Sequence, residues 1–357
     1  MDRLYWIALS MVPGIGPVLF KRLLARFDTP EKVFKMPASL LREVEGIGEK
    51  LASEIKSFRD WKRAEGEIER AAAYGAAIVT MADEGYSKNL LNIYDPPPYL
   101  YVKGLLDGEE RSIAIVGSRF ASTYGRIVTE GLSRDLAKSG FTVVSGMARG
   151  IDTSAHKGAM EAGGRTVAVL GSGIDVIYPP ENKGLYEEIC DHGAVISEFP
   201  MGTEPLGENF PSRNRIISGI SKGVVIVEAS LKSGSLITAS LAAEQGREVF
   251  AVPGNVNSKG SKGTNRLIKE GARLVEDVGD ILEELDGPSN PRCNVPLQID
   301  LTKEEASLMG LLTEPLHIDD ISSLSGMDTR TVSAMLLNLE LSGIVRQLPG
   351  MVYVRNI

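Results

Sequence analysis

Several short stretches of this chain carry residue types suited to gripping a phosphate. Gly117-Ser118-Arg119 follows the apolar run Ser112–Val116 and precedes a helical pattern over Ser122–Lys138. Glycine there lets the backbone turn closely, the serine hydroxyl can donate a hydrogen bond, and the arginine offers a planar fork of donors. A helix starting just beyond adds its dipole to the same place. A second such stretch is Lys232-Ser233-Gly234-Ser235, after the run Gly223–Val227 and ahead of another helical pattern. Its backbone and hydroxyl donors sit at a helix start, with a lysine charge over them. Arg213-Asn214-Arg215 forms the densest cationic pair. Two residues apart on a helix, the arginines point in different directions, so one can face a ligand while the other holds a carboxylate. Lys262 stands beside Gly263-Thr264-Asn265.

Other strand ends are similarly built. Ser145-Gly146-Met147-Ala148-Arg149-Gly150-Ile151-Asp152 precedes a helix containing His156, and Asp152 is placed to cap it. His156 has no nucleophile or partner evident in the sequence, so it reads as structural. Leu170-Gly171-Ser172-Gly173-Ile174-Asp175 repeats the strand-then-small-residue pattern. Phe120, Tyr124 and Phe210 lie near these turns, where each reads either as a platform for a base or as core.

The elements that must position these turns alternate. Strands are expected at 77–81, 112–116, 142–145, 166–170, 194–197, 223–227 and 248–252, with helical periodicity between them. Near-continuous Val/Ile runs fit parallel strands buried on both faces. Asp95–Val102, with three consecutive prolines, reads as an extended lead-in. The whole describes an α/β core, a Rossmann-like doubly wound and mostly parallel sheet over 77–287, whose turns gather at the carboxyl edge where ligands bind. Residues 1–76 read as all helical, with Gly-Ile-Gly turns at Gly14–Gly16 and Gly46–Gly48. That pair is similar to helix-hairpin-helix motifs of non-sequence-specific DNA binders, and reads equally as two tight turns of an interaction domain. Breakers mark a linker over 288–299. Residues 300–357 read as helix-turn-helix plus hairpin, a small winged helix whose candidate recognition helix Asp328–Leu341 carries Arg330 as its cation.

Composition narrows the class. A net charge of −8 over 357 residues argues against a general DNA-coating protein but permits a local basic pocket. Two widely spaced cysteines, Cys190 and Cys293, and three histidines suggest neither a disulfide framework nor a metal site. No apolar run is long enough to cross a bilayer and no signal peptide opens the chain, so a cytoplasmic location is expected. The first strand leads into Gly-Ser-Arg-Phe rather than Gly-x-Gly-x-x-Gly, and no P-loop is present, so no nucleotide cofactor is expected.

The ordered series Gly-Ser-Arg, Ser-Gly-Met-Ala-Arg-Gly-Ile-Asp, Phe-Pro-x-Arg-Asn-Arg-Ile-Ile, Ser-Gly-Ser-Leu-Ile-Thr-Ala and Ala-Val-Pro-Gly resembles the DNA-processing protein A (DprA/Smf) family over residues 77–285. The resemblance implies an extended Rossmann fold that binds single-stranded DNA at its carboxyl edge and dimerises through that core. It also implies that the protein shields incoming strands in natural transformation and hands them to the RecA recombinase, with no catalysis. Its DNA contacts would fall on Gly117, Ser118, Arg119, Lys232, Ser233, Gly234 and Ser235, with Arg213, Arg215 and Lys262 as further candidates. The rival is a Rossmann-like nucleotide-binding or nucleotide-cleaving enzyme. If Gly234-Ser235 align with the Gly-Thr of such enzymes' Gly-Gly-x-Gly-Thr-x-x-Glu turn, the glutamate position falls on Thr238, and the general acid/base is missing.

Overall fold

The computed structural model describes residues 3–286, 303–312, 316–341, 345–348 and 350–355. The expected linker over 288–299, with Cys293, and Gly343, Ile344 and Pro349 of the expected hairpin lie outside them. The chain divides into two compact units, Met1–Pro288 and Ser289–Ile357.

The first unit opens with helices α1 (Arg3–Ser10), α2 (Pro17–Phe27), α3 (Pro30–Lys35), α4 (Ala38–Leu41), α5 (Glu49–Ser57) and α6 (Trp61–Ala73). Both Gly-Ile-Gly turns take up a left-handed glycine, Gly14 at φ +86° and Gly46 at φ +91°. A β-carbon on Gly14 would meet the Leu51 side chain, and one on Gly46 the Leu19 side chain, each at 2.7 Å. Each turn therefore packs on the helix that follows the other, as in a tandem. These helices are not insulated from the sheet behind them. Trp6, Phe20 and Ile55 belong to one buried cluster with Tyr99, Tyr101 and Val195 of the sheet. Buried Glu67 of α6 accepts hydrogen bonds from Tyr101 Oη at 2.7 Å and from the Met201 amide at 2.6 Å. The expected helical region and α/β core thus share one interior.

The α/β part comprises β1 (Ala77–Thr80), α7 (Lys88–Leu91), β2 (Tyr99–Gly104), β3 (Ser112–Gly117), α8 (Thr123–Lys138), β4 (Thr142–Ser145), α9 (Ile151–Glu161), β5 (Thr166–Val169), α10 (Lys183–His192), β6 (Gly193–Ser197), α11 (Asn209–Ile220), β7 (Gly223–Val227), α12 (Ser235–Glu244), β8 (Glu248–Ala251), α13 (Lys262–Lys269), β9 (Arg273–Leu274) and α14 (Val278–Asp286). They form a nine-stranded sheet of order β1-β2-β6-β5-β4-β3-β7-β8-β9. From β6 to β9 every pairing is parallel, while β1 pairs with β2 and β2 with β6 antiparallel. The segment read as an extended lead-in therefore becomes a strand once past its prolines, which lack the N–H a ladder needs. Strand alternation sends Ile113 and Ile115 of β3 against Leu132 and Leu136 of α8 and Ala155 of α9. Ala114 and Val116 go the other way, with Ile216 and Ile220 of α11 and Ala239 of α12. Each such isoleucine contributes about 1.5–3 kcal/mol by leaving water, which fixes strand register and helix placement together.

The second unit holds α15 (Lys303–Leu311), β10 (Leu316–His317), α16 (Ile318–Ser325), α17 (Thr329–Leu341), β11 (Val345–Leu348) and β12 (Val352–Arg355), with sheet order β10-β12-β11. Leu308, Ile318, Ile321, Val332, Leu336 and Tyr353 form its core. Left-handed Gly326, at φ +69°, ends α16. At the start of α17 the Asp328 carboxylate accepts the Thr331 hydroxyl at 2.6 Å and the Thr331 amide at 3.1 Å, which hold that carboxyl below its usual range. This is the helix-turn-helix with a wing that the sequence predicts.

Candidate functional site

Strand order reverses at β3, since β4, β5 and β6 lie to one side and β7, β8 and β9 to the other. The turns after β3 and β7 diverge there and leave a crevice. A cleft of about 580 Å³ opens at that point, lined by Gly117–Phe120 after β3 and by Ser230 and Lys232–Ser235 after β7. Phe210, Arg213 and Asn214 of α11 and Asp152 of α9 complete its floor and wall. The sequence-predicted residues Gly117, Ser118, Arg119, Arg213, Lys232, Ser233, Gly234 and Ser235 all meet in this one space.

The floor is close-packed. Gly117 stands opposite Val227 in the ladder, and a β-carbon on it would lie 1.8 Å from the Val227 carbonyl oxygen. Only glycine fits there. Ser118 Oγ accepts the Phe120 amide at 3.1 Å, and Ser118 O accepts the Ile151 amide at 3.1 Å, tying the turn to the start of α9. Arg119 is exposed beyond this knot, its guanidinium carbon 5.2 Å from the Phe210 ring centre.

The helix start behind Arg119 is not free, contrary to the expectation that its dipole serves the ligand. Glu228, the residue after β7, takes it. Its Oε2 accepts the Ser122 amide at 2.8 Å, and its Oε1 accepts the Ser122 hydroxyl. Ser122 Oγ in turn accepts the Gly125 amide at 3.1 Å. Glu228 reaches this position with φ at +52°, a left-handed backbone that a non-glycine residue adopts only under constraint. The sequence shows Glu228 as an acidic residue closing an apolar run, and no role could be read from that alone.

Three other expectations meet a different placement. Asp152 does not cap α9, whose N-cap is Gly150 at φ +75°. Its buried carboxylate instead accepts the Gly146 and Ala148 amides at 3.1 and 3.3 Å, bracing the preceding turn. Burial raises the Asp152 carboxyl above its usual range against the pull of nearby Arg213. Arg213, 4% exposed, donates Nη1 to the carbonyls of Gly146 at 3.0 Å and of Val169. Burial lowers it to about 10, so it remains charged at neutral pH. It supplies field and rigidity from the cleft floor. Arg215 does not line the cleft. It pairs with Glu198, and with Asp95 at 3.3 Å, because two positions along α11 turn it to another side of the helix. Of the two arginines, then, Arg215 holds carboxylates and Arg213 faces the cleft. Lys262 is exposed but also lies off the cleft lining. His156 is fully buried, with Nδ1 2.7 Å from Thr166 Oγ1, and burial pushes it down to about 3. It stays neutral and away from the cleft.

The second turn differs from the first. The start of α12 is held without a carboxylate: the Ser235 amide donates to Ser233 Oγ at 3.4 Å, and the Leu236 and Ile237 amides donate to the carbonyls of Ser233 and Gly234 at 3.1 Å each. Ser233 Oγ and Ser235 Oγ lie 2.8 Å apart, and Lys232 is exposed above them. Of the three aromatic candidates, Phe120 is 93% exposed on the rim. Tyr124 is tethered by its hydroxyl to Pro253 O at 3.1 Å, and Phe210 packs against Tyr178 with ring centres 5.8 Å apart. The arrangement offers two exposed cations, one buried cation, the N-terminal end of α12 with its serine hydroxyls, and an exposed ring around one crevice. It can hold phosphate oxygens and a flat apolar group side by side.

Fold and site together define a class: a Rossmann-type α/β protein with a cationic crevice at its switch point, flanked in sequence by a helical tandem and a winged helix. The chain belongs to the DNA recombination-mediator protein A family, whose model matches residues 77–286. Models of the DprA winged helix domain and of the SAM-like helix-hairpin-helix tandem match residues 295–351 and 7–59. Protein Smf of Synechocystis sp. is 36% identical over 393 aligned residues, covering 99% of each chain. The structure of DNA processing protein A from Streptococcus pneumoniae matches 80% of this chain and 98% of its own at 34% identity, with a TM-score of 0.70. A structure of DNA processing protein A from Helicobacter pylori, described for that protein's unique single-stranded DNA binding mode, matches 58% of this chain and 95% of its own at 32% identity, with a TM-score of 0.52.

Proposed function

We propose that this protein binds single-stranded DNA in the cleft between the β3 and β7 turns, and that the cleft carries out no reaction on it. The observation that carries this reading is the convergence on one crevice of exposed Arg119, exposed Lys232 and the start of α12, held by the neutral Ser233 hydroxyl rather than by a carboxylate, with Phe120 exposed beside them. A single strand asks for a positive groove for its backbone and a platform for its unstacked bases. The Helicobacter pylori relative, described for its single-stranded DNA binding mode, supports the same ligand. Gly117, Ser118, Ser233, Gly234 and Ser235 supply close backbone and hydroxyl contacts in this reading, while Arg213 acts from beneath. The family resemblance extends the proposal: a homodimer through the Rossmann core, working in the cytoplasm, shields strands taken up in transformation and loads RecA on them.

The test is fluorescence anisotropy with labelled oligothymidine and a matching duplex over a salt series. Single strands bind more tightly than the duplex. Arg119→Ala and Lys232→Ala each weaken binding about tenfold and flatten the log–log salt slope by about 0.7, the loss of one phosphate contact. Absence of salt-sensitive binding to either form at low salt sinks the reading, and nucleotide hydrolysis then becomes the assay to run.

A further inference from the structure

Beyond Lys232 the surface dips again. A second groove of about 390 Å³ runs between α12 and α13, walled by Leu231, Leu236, Ile237 and Leu267 with Arg266 at its side. It shares Lys232, Ser233 and Ile237 with the main cleft, so the two form one continuous track. Leu231 and Ile237 are 52% and 43% exposed, which leaves large apolar side chains bare where the two grooves meet. The position of α13 is fixed by the same turn that builds the cleft. The Gly263 amide donates to Ala229 O at 2.7 Å, and a β-carbon on Gly263 would lie 2.6 Å from that oxygen.

The charges on α13 follow one line. Lys262, Arg266 and Lys269 are spaced i, i+4 and i+7, which puts them on one stripe, and all three are exposed. Glu270, also in the groove wall, holds Arg266 Nε at 2.7 Å, engaging one of the five guanidinium donors. In a chain of net charge −8, a cationic stripe beside an apolar wall, continuous with an anion-ready cleft, fits one kind of occupant. We infer that the α12–α13 groove is a second subsite that takes the nucleotides flanking those in the cleft, with bases against Leu231, Ile237 and Leu267 and backbone phosphates along Lys262 and Arg266. This rests on the single-stranded DNA reading of the cleft. It also gives Lys262 a place on the strand's path that the cleft itself does not provide.

The test compares a thymidine trinucleotide with a fifteen-nucleotide oligothymidine, each competing with a labelled strand for the full chain. The variants are Lys262→Ala/Arg266→Ala, which changes only exposed side chains, and Arg119→Ala. The double variant weakens the long strand about tenfold and flattens its salt slope by about 1.4, two phosphate contacts at about 0.7 each, while the trinucleotide keeps its affinity within about twofold. Arg119→Ala weakens both lengths. If the double variant leaves the long strand unchanged, or weakens both lengths equally, the second subsite is overturned while an Arg119 effect keeps the cleft standing. If wild type binds neither length, the cleft reading and this one fall together.

Discussion

Two turns at the carboxyl edge look alike in sequence and behave differently in the structure. Both follow a buried Val/Ile strand, both are rich in Gly and Ser, and both run into a helix. After β3, the helix start is filled by the Glu228 carboxylate, so the turn offers its side chains, Arg119 and Phe120, to the cleft. After β7, the helix start is held by the uncharged Ser233 hydroxyl and the carbonyls of its own turn, with no carboxylate, and faces the cleft under Lys232. A glycine-rich turn before a helix is thus not sufficient to make an anion site. What decides is whether the protein has already supplied its own anion. One residue links the two cases, because Glu228 belongs to the second turn and closes the first.

The sharpest way to break this contrast is to give the second turn a carboxylate as well. Ser233→Asp places an acid one residue before the α12 N-cap Gly234, where the Ser233 hydroxyl accepts the Ser235 amide, so that a carboxylate takes over that hydrogen bond as Glu228 does at α8. The fold tolerates it, since a carboxylate at a helix N-terminus is stabilising. Single-stranded DNA then meets a carboxylate's repulsion where a neutral hydroxyl stood, and affinity falls about 100-fold, roughly 2.7 kcal/mol. A titration by anisotropy checks this, with urea unfolding as the control for folding. Unchanged affinity means the α12 start is not part of the binding surface.

A smaller effect tests what the first turn contributes once its helix is closed. Phe120→Ala removes an exposed ring, so stability stays within about 0.5 kcal/mol. Affinity for oligothymidine drops about fivefold, the low end of a stacking contribution of about 1–3 kcal/mol per base. The salt slope stays as it was, because no phosphate contact is lost. A changed slope with unchanged stability shows that Phe120 acts by holding Arg119 rather than by stacking.

The elements were legible because they depend on local pattern. Val/Ile runs and glycine breaks locate β3 through β8, and the clustering of turns at one edge follows from parallel topology. The cleft residues on those turns were legible for the same reason. What escaped depends on which strands become neighbours. The spacing of Arg213 and Arg215 shows that they diverge, but which of them meets a carboxylate depends on how α11 packs, which sets Arg215 against Asp95, 120 residues away. Asp152 looked like a cap because it stands near a helix start, yet Gly150 begins the helix and leaves the acid turned inward to two amides. Asp95–Val102 read as a lead-in because Pro96, Pro97 and Pro98 dominate the local signal, while the partner that makes Tyr99–Gly104 a strand, β6, lies about 90 residues on. Glu228 is the clearest case. Its function exists only because β3 and β7 are adjacent, which brings a residue 106 positions away onto Ser122.

The mildest variant bears most directly on that adjacency. Glu228→Gln keeps the size and the left-handed backbone of the residue, so the change isolates the charge. The amide can still accept one of the two Ser122 hydrogen bonds but no longer offsets the α8 dipole. Replacing a charged acceptor by a neutral one costs about 1 kcal/mol, seen as a lower urea midpoint. The α8 start then lacks its anion and can take one from solution. Sulfate stabilises any folded protein by exclusion from its surface, so the readout is the difference between variant and wild type. The variant gains more from sulfate than wild type does and recovers part of its deficit, whereas chloride at equal ionic strength restores nothing. An equal sulfate response in both proteins means that Glu228 fills no anion site. The two turns would then differ only in their side chains, and the contrast drawn between their helix starts would be lost.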